Sequence, residues 1–248
     1  MSGHSKWATI KHKKAALDAK RGKTFTRVIK EIMIAARSGG GDPDGNPRLR
    51  TAVLAAKAVS MPMDNINRAI KRGTGELEGG QIDELVYEGY GAGGAAIVAF
   101  VATDNKNRTV SEIRHVFSKN GGNMGEPGSV SWMFERKGQI LIEKANAEED
   151  ALMNLVLEAG ADDLRGDDEN WEVLTAPESL IAVQDALAAA KIPIIAAQQA
   201  MIPKNTVQIE TKNVAGLMRL VDALEEHDDV QNVFGNYEID DKDLEALA

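Results

Sequence analysis

The sequence contains no cysteine, few aromatic residues and no long apolar run, and each shortage excludes a class of protein. Without cysteine the chain forms no disulfide, has no thiol nucleophile and offers no thiolate to zinc. Aromatic residues make up only 4% of the 248 residues, so the composition does not predict a platform for stacking nucleobases. The longest apolar run, over 95–102, is far shorter than the roughly 18 residues of a membrane-spanning helix. Together with a polar N-terminus that lacks a signal-peptide pattern, these shortages predict a cytoplasmic protein.

Positive charge is also scarce overall, but it is concentrated at one end of the chain. The sequence has 29 basic and 38 acidic residues and a net charge of −9. Residues 1–75 hold 16 bases against 5 acids, a net charge of +11, and the remainder holds 13 against 33, a net charge of −20. A field of one sign in one module attracts a polyanion locally, while the acidic remainder repels it. This distribution favours nucleic acid as the partner.

The basic module has the pattern of a small helical bundle. Apolar side chains spaced at i, i+3, i+4 and i+7 over 25–36 predict one face of a helix, with Thr24 as its N-cap. Gly22 is predicted to separate this helix from a shorter one over 10–21. A membrane-bound helix needs its apolar face exposed, whereas this face is better used as the core of a bundle, so we expect no membrane partner.

Two further helices are predicted in the same module. The glycine- and proline-rich segment after Arg37 ends the first helix, and Asn46 with Pro47 has the pattern of an N-cap and first helical position. The helix that follows is expected to run to about residue 59. A third is expected to start at Ser60 to Pro62 and to close at Gly73.

From about residue 80 the pattern changes to short strands that alternate with helices. A first ββαβ series is predicted at 85–90, 95–102, 108–119 and 129–134. A second series, βαβαβ, is predicted at 139–143, 148–159, 171–174, 178–190 and 194–201. The tail adds a helix and a strand, at 214–226 and 230–237. This last αβ pair supplies what the first series lacks for a four-stranded sheet with helices on one face.

We therefore predict an α+β fold with three domains, in which a basic N-terminal helical bundle precedes two ferredoxin-like α+β domains, one inserted in the other. The bundle covers 1–78, the outer α+β domain covers 79–138 and 205–248, and the inserted domain covers 139–204. A linear arrangement of two α+β domains is the alternative.

No local pattern indicates catalysis or a metal site. No nucleophile, base and orienting group occur together, and the four histidines include no i, i+4 pair. The glycine-rich segment 89–94 precedes a strand rather than a helix, so it predicts a tight strand connection and not a phosphate loop. The segment 118–129 is interpreted as a structural loop, and the acidic stretch 162–169 as a solvated face. We predict no enzyme, no metal and no cofactor; a site assembled from distant residues is the alternative.

Six segments of the sequence, in their order and spacing, resemble the YebC/PmpR family. They are GHSKWATIKHKKAALDAKRGKTFTRVIKEI, GGGDPDGNPRLR, NINRAIKRGTG, YEGYGAGG, DNKNRTVSEIRHVFSKNGGNMGEPGSVSWMF and LMRLVDALEEHDDVQNVFGNYEI. The resemblance implies three domains arranged around a cleft. It also implies a cytoplasmic transcriptional regulator that binds promoter DNA. Other members, such as the mitochondrial translational activator of cytochrome c oxidase and bacterial relatives that relieve stalling at proline runs, imply a ribosome-associated translation factor.

Two partners therefore remain open, duplex DNA and ribosomal RNA. The sequence contains no zinc finger, no basic region that continues into heptads and no helix-turn-helix pattern, and it also lacks an aromatic RNA-binding signature on its strands. Oligomeric state is not predicted. In either case the residues expected to contact nucleic acid share the basic module: Lys6, Trp7, Lys11, Lys13, Lys14, Lys20, Arg21, Lys23, Arg27, Lys30, Arg48, Arg50, Lys57, Arg68, Lys71 and Arg72.

Overall fold

The computed structural model describes residues 21–240 and 242–243. The helices are α1 (Arg21–Gly39), α2 (Pro47–Ala58), α3 (Met63–Thr74), α4 (Lys106–Lys119), α5 (Glu149–Glu158), α6 (Leu180–Ala189) and α7 (Thr211–Glu225). The strands are β1 (Asp83–Tyr90), β2 (Ala96–Thr103), β3 (Asn123–Met124), β4 (Phe134–Glu143), β5 (Ala161–Gly166), β6 (Asn170–Thr175), β7 (Ala196–Pro203), β8 (Val207–Gln208), β9 (Val230–Gly235) and β10 (Tyr237–Glu238). The predicted α+β class is confirmed. In this described part of the chain no helix has the length and apolar character needed to cross a membrane.

The predicted apolar stripe of α1 is confirmed, because its side chains form the core of the helical bundle. Ile32, Met33 and Ala36 are buried, and three residues from the preceding turns, Phe25, Val28 and Ile29, pack against this core. α1 packs against both α2 and α3. Because one apolar stripe of α1 packs against both α2 and α3, α1 is the central helix of the bundle.

The predicted start of α2 is confirmed, and Asn46 does more than cap it. The Asn46 side-chain oxygen accepts the backbone N–H of Leu49 at 3.1 Å, which satisfies one of the free donors at the helix N-terminus. The side-chain amide donates to the carbonyl of Ala35 in α1 at 2.8 Å. The buried Asn46 therefore fixes the start of α2 against the end of α1.

Two other predicted boundaries in the bundle are wrong. Thr24 is not an N-cap, and Gly22 does not separate two helices, because α1 begins at Arg21 and continues through both positions. The rest of the helix predicted over 10–21 lies outside the described residues. α3 ends at Thr74, and the glycine in the left-handed conformation is Gly75, with φ of +83°. Gly73 has a packing role instead: a Cβ there would lie 2.5 Å from the carbonyl oxygen of Met33 in α1.

The first of the two four-stranded sheets joins strands from distant parts of the sequence. Its order is β3-β1-β2-β9, with antiparallel pairing throughout. The 91–95 segment connects β1 and β2 tightly, as predicted, and Ile97 of β2 is paired with Gly235 of β9. α4 and α7 supply Phe117 and Leu217 to the core on one face of this sheet.

One predicted strand of this sheet is wrong. Residues 131–133 form a turn of 3₁₀ helix, and Phe134 begins β4 of the other sheet. Two apolar residues of this segment, Val130 and Phe134, are buried because they pack on the second face of the first sheet. The third strand of the first sheet is β3, which is only two residues long and lies in the segment predicted as a loop.

The second sheet has the βαββαβ succession of a ferredoxin-like domain, with α5 and α6 beside strands in the order β5-β6-β4-β7. The sequence does not predict β5, because its acidic residues resemble a solvated loop. Asp162 is exposed on this strand, and β5 is an edge strand, where charged side chains discourage pairing with other chains. Acidic side chains on this segment are therefore consistent with a strand that is exposed to solvent at the edge of the sheet.

The strand pairing supports the proposed insertion of one domain in the other. All strands of the second sheet lie within 134–203, and its first and last residues, Phe134 and Pro203, are paired neighbours. The chain therefore enters and leaves the second sheet at neighbouring positions, as the proposed insertion requires.

Deletion of 205–248 is expected to unfold the outer domain, because it removes α7 and β9, the strand that pairs with one edge of β2. The cooperative thermal transition of 83–124 should disappear, as followed by the dispersion of its amide resonances in NMR spectra. As a control, replacing 135–203 by a short linker should leave those resonances dispersed. A tail-deleted chain in which 83–124 still melts cooperatively would favour the linear arrangement of domains.

Candidate nucleic-acid interface

Six of the sixteen predicted contact residues lie outside the described part of the chain: Lys6, Trp7, Lys11, Lys13, Lys14 and Lys20. Arg21 begins α1, and only its backbone is described. The other nine lie on the three helices of the bundle. They separate into a group with partners inside the protein and a group that faces solvent.

Three cations of α1 bind backbone carbonyls at and just after the end of α7. Lys23 donates to the carbonyl of Glu226 at 2.6 Å, Arg27 donates to the carbonyl of Glu225, and Lys30 donates to that of Asp228 at 3.1 Å. The last carbonyls of a helix lack partners within the helix and carry its negative dipole end, so cations stabilise them. Burial lowers the pKa of Arg27, while the charges of Glu225 and Asp228 oppose that effect.

Lys30 also forms an ion pair with Asp229, the residue on which this contact between domains is centred. The Lys30 amine lies 2.6 Å from the Asp229 carboxylate, and the two side chains are only 13% and 6% exposed. The other carboxylate oxygen accepts hydrogen bonds from Arg108 at 2.8 Å and Thr109 at 2.7 Å. Burial acts to raise the pKa of Asp229, but the bonds from Lys30, Thr109 and Arg108 hold that pKa below the usual range of an aspartate. The carboxylate therefore stays charged and links the bundle to α4.

Arg48 of α2 also has partners within the protein. Its guanidinium donates to Glu31 of α1 at 2.7 Å and to Glu84 of β1 at 2.7 Å. Burial acts to lower the pKa of Arg48, but the hydrogen bonds to both carboxylates raise it. Arg48 thus connects two helices of the bundle to the first sheet.

The remaining five cations lie on two helices, and all but the half-buried Arg50 are exposed. Arg50 and Lys57 lie seven residues apart on α2, with the 59% exposed Leu54 between them on the same helical face. Arg68, Lys71 and Arg72 lie on one face of α3. Within the part of the chain that the structure describes, none of these five cations forms an ion pair. They are the cations that remain available to an external anion.

The structure thus changes the roles expected for four residues. Lys23, Arg27, Lys30 and Arg48 were expected to contact phosphate, and the structure gives each of them a partner inside the protein. The sequence does contain a signal for this contact. Lys23, Arg27 and Lys30 follow i, i+4, i+7 spacing, a basic stripe beside the apolar one. What the sequence does not reveal is their partners, because the end of α7 and Asp229 lie about two hundred residues away along the chain.

A group with metal-ligand atoms also occurs here, although local spacing did not indicate one. Glu112, His227 and Asp229 bring a possible ligand atom each within 4.8 Å of one another. These atoms already have protein partners. His227 accepts the backbone N–H of Asp229 through Nδ1 at 3.1 Å, and its Nε2 lies 3.0 Å from Glu112. A cation would have to displace Lys30 and Arg108 from Asp229, so the donor set fits a capped helix end better than a metal.

The fold and this surface define a class of protein: a multidomain α+β protein with a basic helical module fixed to its outer domain. The family model described as "TACO1/YebC protein N-terminal domain" matches residues 5–76, and that described as "TACO1/YebC second and third domain" matches 82–237. The chain belongs to the TACO1/YebC family.

Relatives and a solved structure agree with this membership. A "Probable transcriptional regulatory protein" of Solibacter usitatus is 65% identical over the full length of both chains. One from Koribacter versatilis is 60% identical, also over the full length of both. The crystal structure of a conserved hypothetical protein from Aquifex aeolicus superposes with a TM-score of 0.85 at 47% identity, covering 92% of this chain and 94% of the other.

Replacing Asp229 by asparagine is expected to lower the free energy of unfolding at neutral pH by about 2 to 3 kcal/mol, because two cations lose a charged partner in a partly buried site. Asp229 has a lowered pKa in the folded state, so its contribution is complete above the unfolded pKa of about 4 and is lost as the pH falls below it. The difference between the two proteins should therefore shrink in acid. Urea unfolding at several pH values measures this.

The exposed neighbour provides the matched control for that substitution. Asp228→Asn should change the free energy of unfolding by less than about 0.5 kcal/mol. A double-mutant cycle of Asp229→Asn with Lys30→Met should show coupling, because the two residues are in contact. Strict additivity would contradict the ion pair.

Proposed function

We propose that this protein is a nucleic-acid-binding regulator of gene expression, and specifically a DNA-binding transcriptional regulator. The observation that carries the proposal is the division of cations within the basic module. Three cations of α1 fix the module to an acidic protein, and Arg48 of α2 pairs with two glutamates. The other five cations of α2 and α3 form no ion pair among the described residues, and four of them are exposed. Such an arrangement holds a positive surface in one orientation and directs it away from the rest of the molecule.

The names of the relatives support transcription as the process. The full-length relatives from Solibacter and Koribacter carry the name of a probable transcriptional regulatory protein, and this chain shares their whole length. A ribosome-associated translation factor is the second candidate. The observation that favours it is the layout of the cations, which occupy two separate helices instead of one helix suited to a major groove.

Neutralising two of the exposed cations on α3 should weaken nucleic-acid binding and its salt dependence. The double variant Arg68→Gln with Lys71→Gln removes two proposed phosphate contacts. The slope of log affinity against log salt should therefore fall by about 1.4 to 1.8. Fluorescence anisotropy with labelled duplex DNA and with structured RNA at several salt concentrations measures the slope.

The control for this variant makes the same change of charge elsewhere. Arg114 and Lys119 are exposed on α4 in the acidic part of the chain, and their double replacement by glutamine should leave the slope unchanged. Equal effects of the two double variants would mean that net charge alone matters. A wild-type affinity that does not vary with salt would contradict the proposal itself.

Competition experiments should separate the two candidate processes. A transcriptional regulator is expected to prefer its site over random DNA by about a thousandfold or more, whereas a ribosomal factor recognises an RNA shape and binds DNA only nonspecifically. Crosslinking in cells followed by sequencing of the bound nucleic acid identifies the sites to be tested. Recovery of ribosomal RNA, co-sedimentation with ribosomes and no selective DNA binding would overturn the transcriptional assignment in favour of translation.

A further inference from the structure

Two exposed aromatic side chains bind the same carbonyl group, in the loop that follows β3. Trp132 is 66% exposed and Tyr90 is 37% exposed, in a chain that has only three residues of each type. The Trp132 ring N–H donates to the carbonyl of Ser129 at 3.1 Å, and the Tyr90 hydroxyl donates to the same carbonyl at 3.4 Å. Because the polar atoms of both rings bind the loop beneath them, the surfaces that remain for a partner are the ring faces.

A buried carboxylate holds the loop that carries these rings. Glu88 of β1 is 5% exposed and accepts the backbone N–H groups of Gly128, Val130 and Ser131, each at 2.8 Å. Burial acts to raise the pKa of Glu88, but these backbone hydrogen bonds lower it, so the carboxylate stays ionised at neutral pH. The loop is therefore fixed in place, and Trp132 is presented on a rigid support.

A cation lies beside Trp132. The exposed Lys204 donates its amine to the carbonyl of Trp132 at 3.1 Å, and its backbone N–H donates to the carbonyl of Met133. This surface thus combines flat aromatic faces with positive charge, within a part of the chain that is acidic overall.

We propose that Trp132 and Tyr90 form a stacking site for an unpaired nucleobase, with Lys204 contacting the adjoining phosphate. Aromatic stacking together with a nearby cation is the chemistry by which proteins hold single-stranded nucleic acid. A base within a duplex is covered on both faces by its neighbours, so the site takes a single-stranded segment. The inference rests on the proposed nucleic-acid function and adds to it a second contact, on a different domain from the basic helices.

The test compares Trp132→Ala and Trp132→Phe with the wild-type protein. The probes are a labelled oligoadenylate and an abasic oligomer of the same length, and affinity is measured by fluorescence anisotropy at low salt. Trp132→Ala should weaken oligoadenylate binding by about 5- to 100-fold, the effect usually found when a stacked aromatic residue is truncated. Trp132→Phe should recover most of that loss, and the abasic oligomer should bind all three proteins equally.

Controls separate this site from the basic helices. Leu157 is another exposed apolar side chain, 45% exposed on α5, and Leu157→Ala should leave both affinities unchanged. If Trp132→Ala binds oligoadenylate as tightly as the wild type while Arg68→Gln with Lys71→Gln does not, the stacking site is wrong and the proposed function stands. The exposed ring would then belong to a protein contact. If the wild type binds neither oligomer, nor duplex DNA, nor structured RNA, both proposals fail.

Discussion

The buried carboxylate of Asp229 is the interaction on which the arrangement of the bundle depends. At 6% exposure its charge is tolerable only with cations beside it, and these come from two places: Lys30 in α1 and Arg108 in α4. The ion pair between Lys30 and Asp229 holds α1 against the outer domain on one side. On another side, α2 and α3 cover the apolar stripe of α1. With these two sides of α1 covered, most of the exposed cations of the described part of the bundle lie on its two outer helices.

Total charge therefore overstates the positive field that the module offers to a partner. The net charge of +11 over 1–75 includes Lys23, Arg27, Lys30 and Arg48, whose donors are engaged by carbonyls or carboxylates of the protein. The same residue types serve here both in assembly and on the exposed surface. The role of each lysine or arginine depends on the helical face it occupies. A face that packs against the rest of the protein brings its cations next to carboxylates and carbonyls there.

Local patterns predicted the elements whose causes are local. The apolar stripe of α1, the Asn46 cap and the β1–β2 connection depend on neighbouring residues, and all three were predictable. The missed features depend on distant partners. β3 is a strand only because β1 lies beside it, and Asp229 is buried only because α1 packs over it from the other end of the sequence. No window of adjacent residues contains that information, since it arises from tertiary contact. The same limit applies to Trp132, whose exposure depends on how its loop is held.

The central position of β2 between β1 and β9 sets the order in which the parts of the chain can be completed during synthesis. Ile97 pairs with Gly235, so one edge of β2 stays open until nearly the whole chain has been made. The second sheet lies within 134–203 and can close earlier. The carbonyls that receive Lys23 and Arg27 are also made late, just before β9. The basic helices are thus synthesised well before the groups that dock them, and until then the growing chain has a stronger positive field than the finished protein.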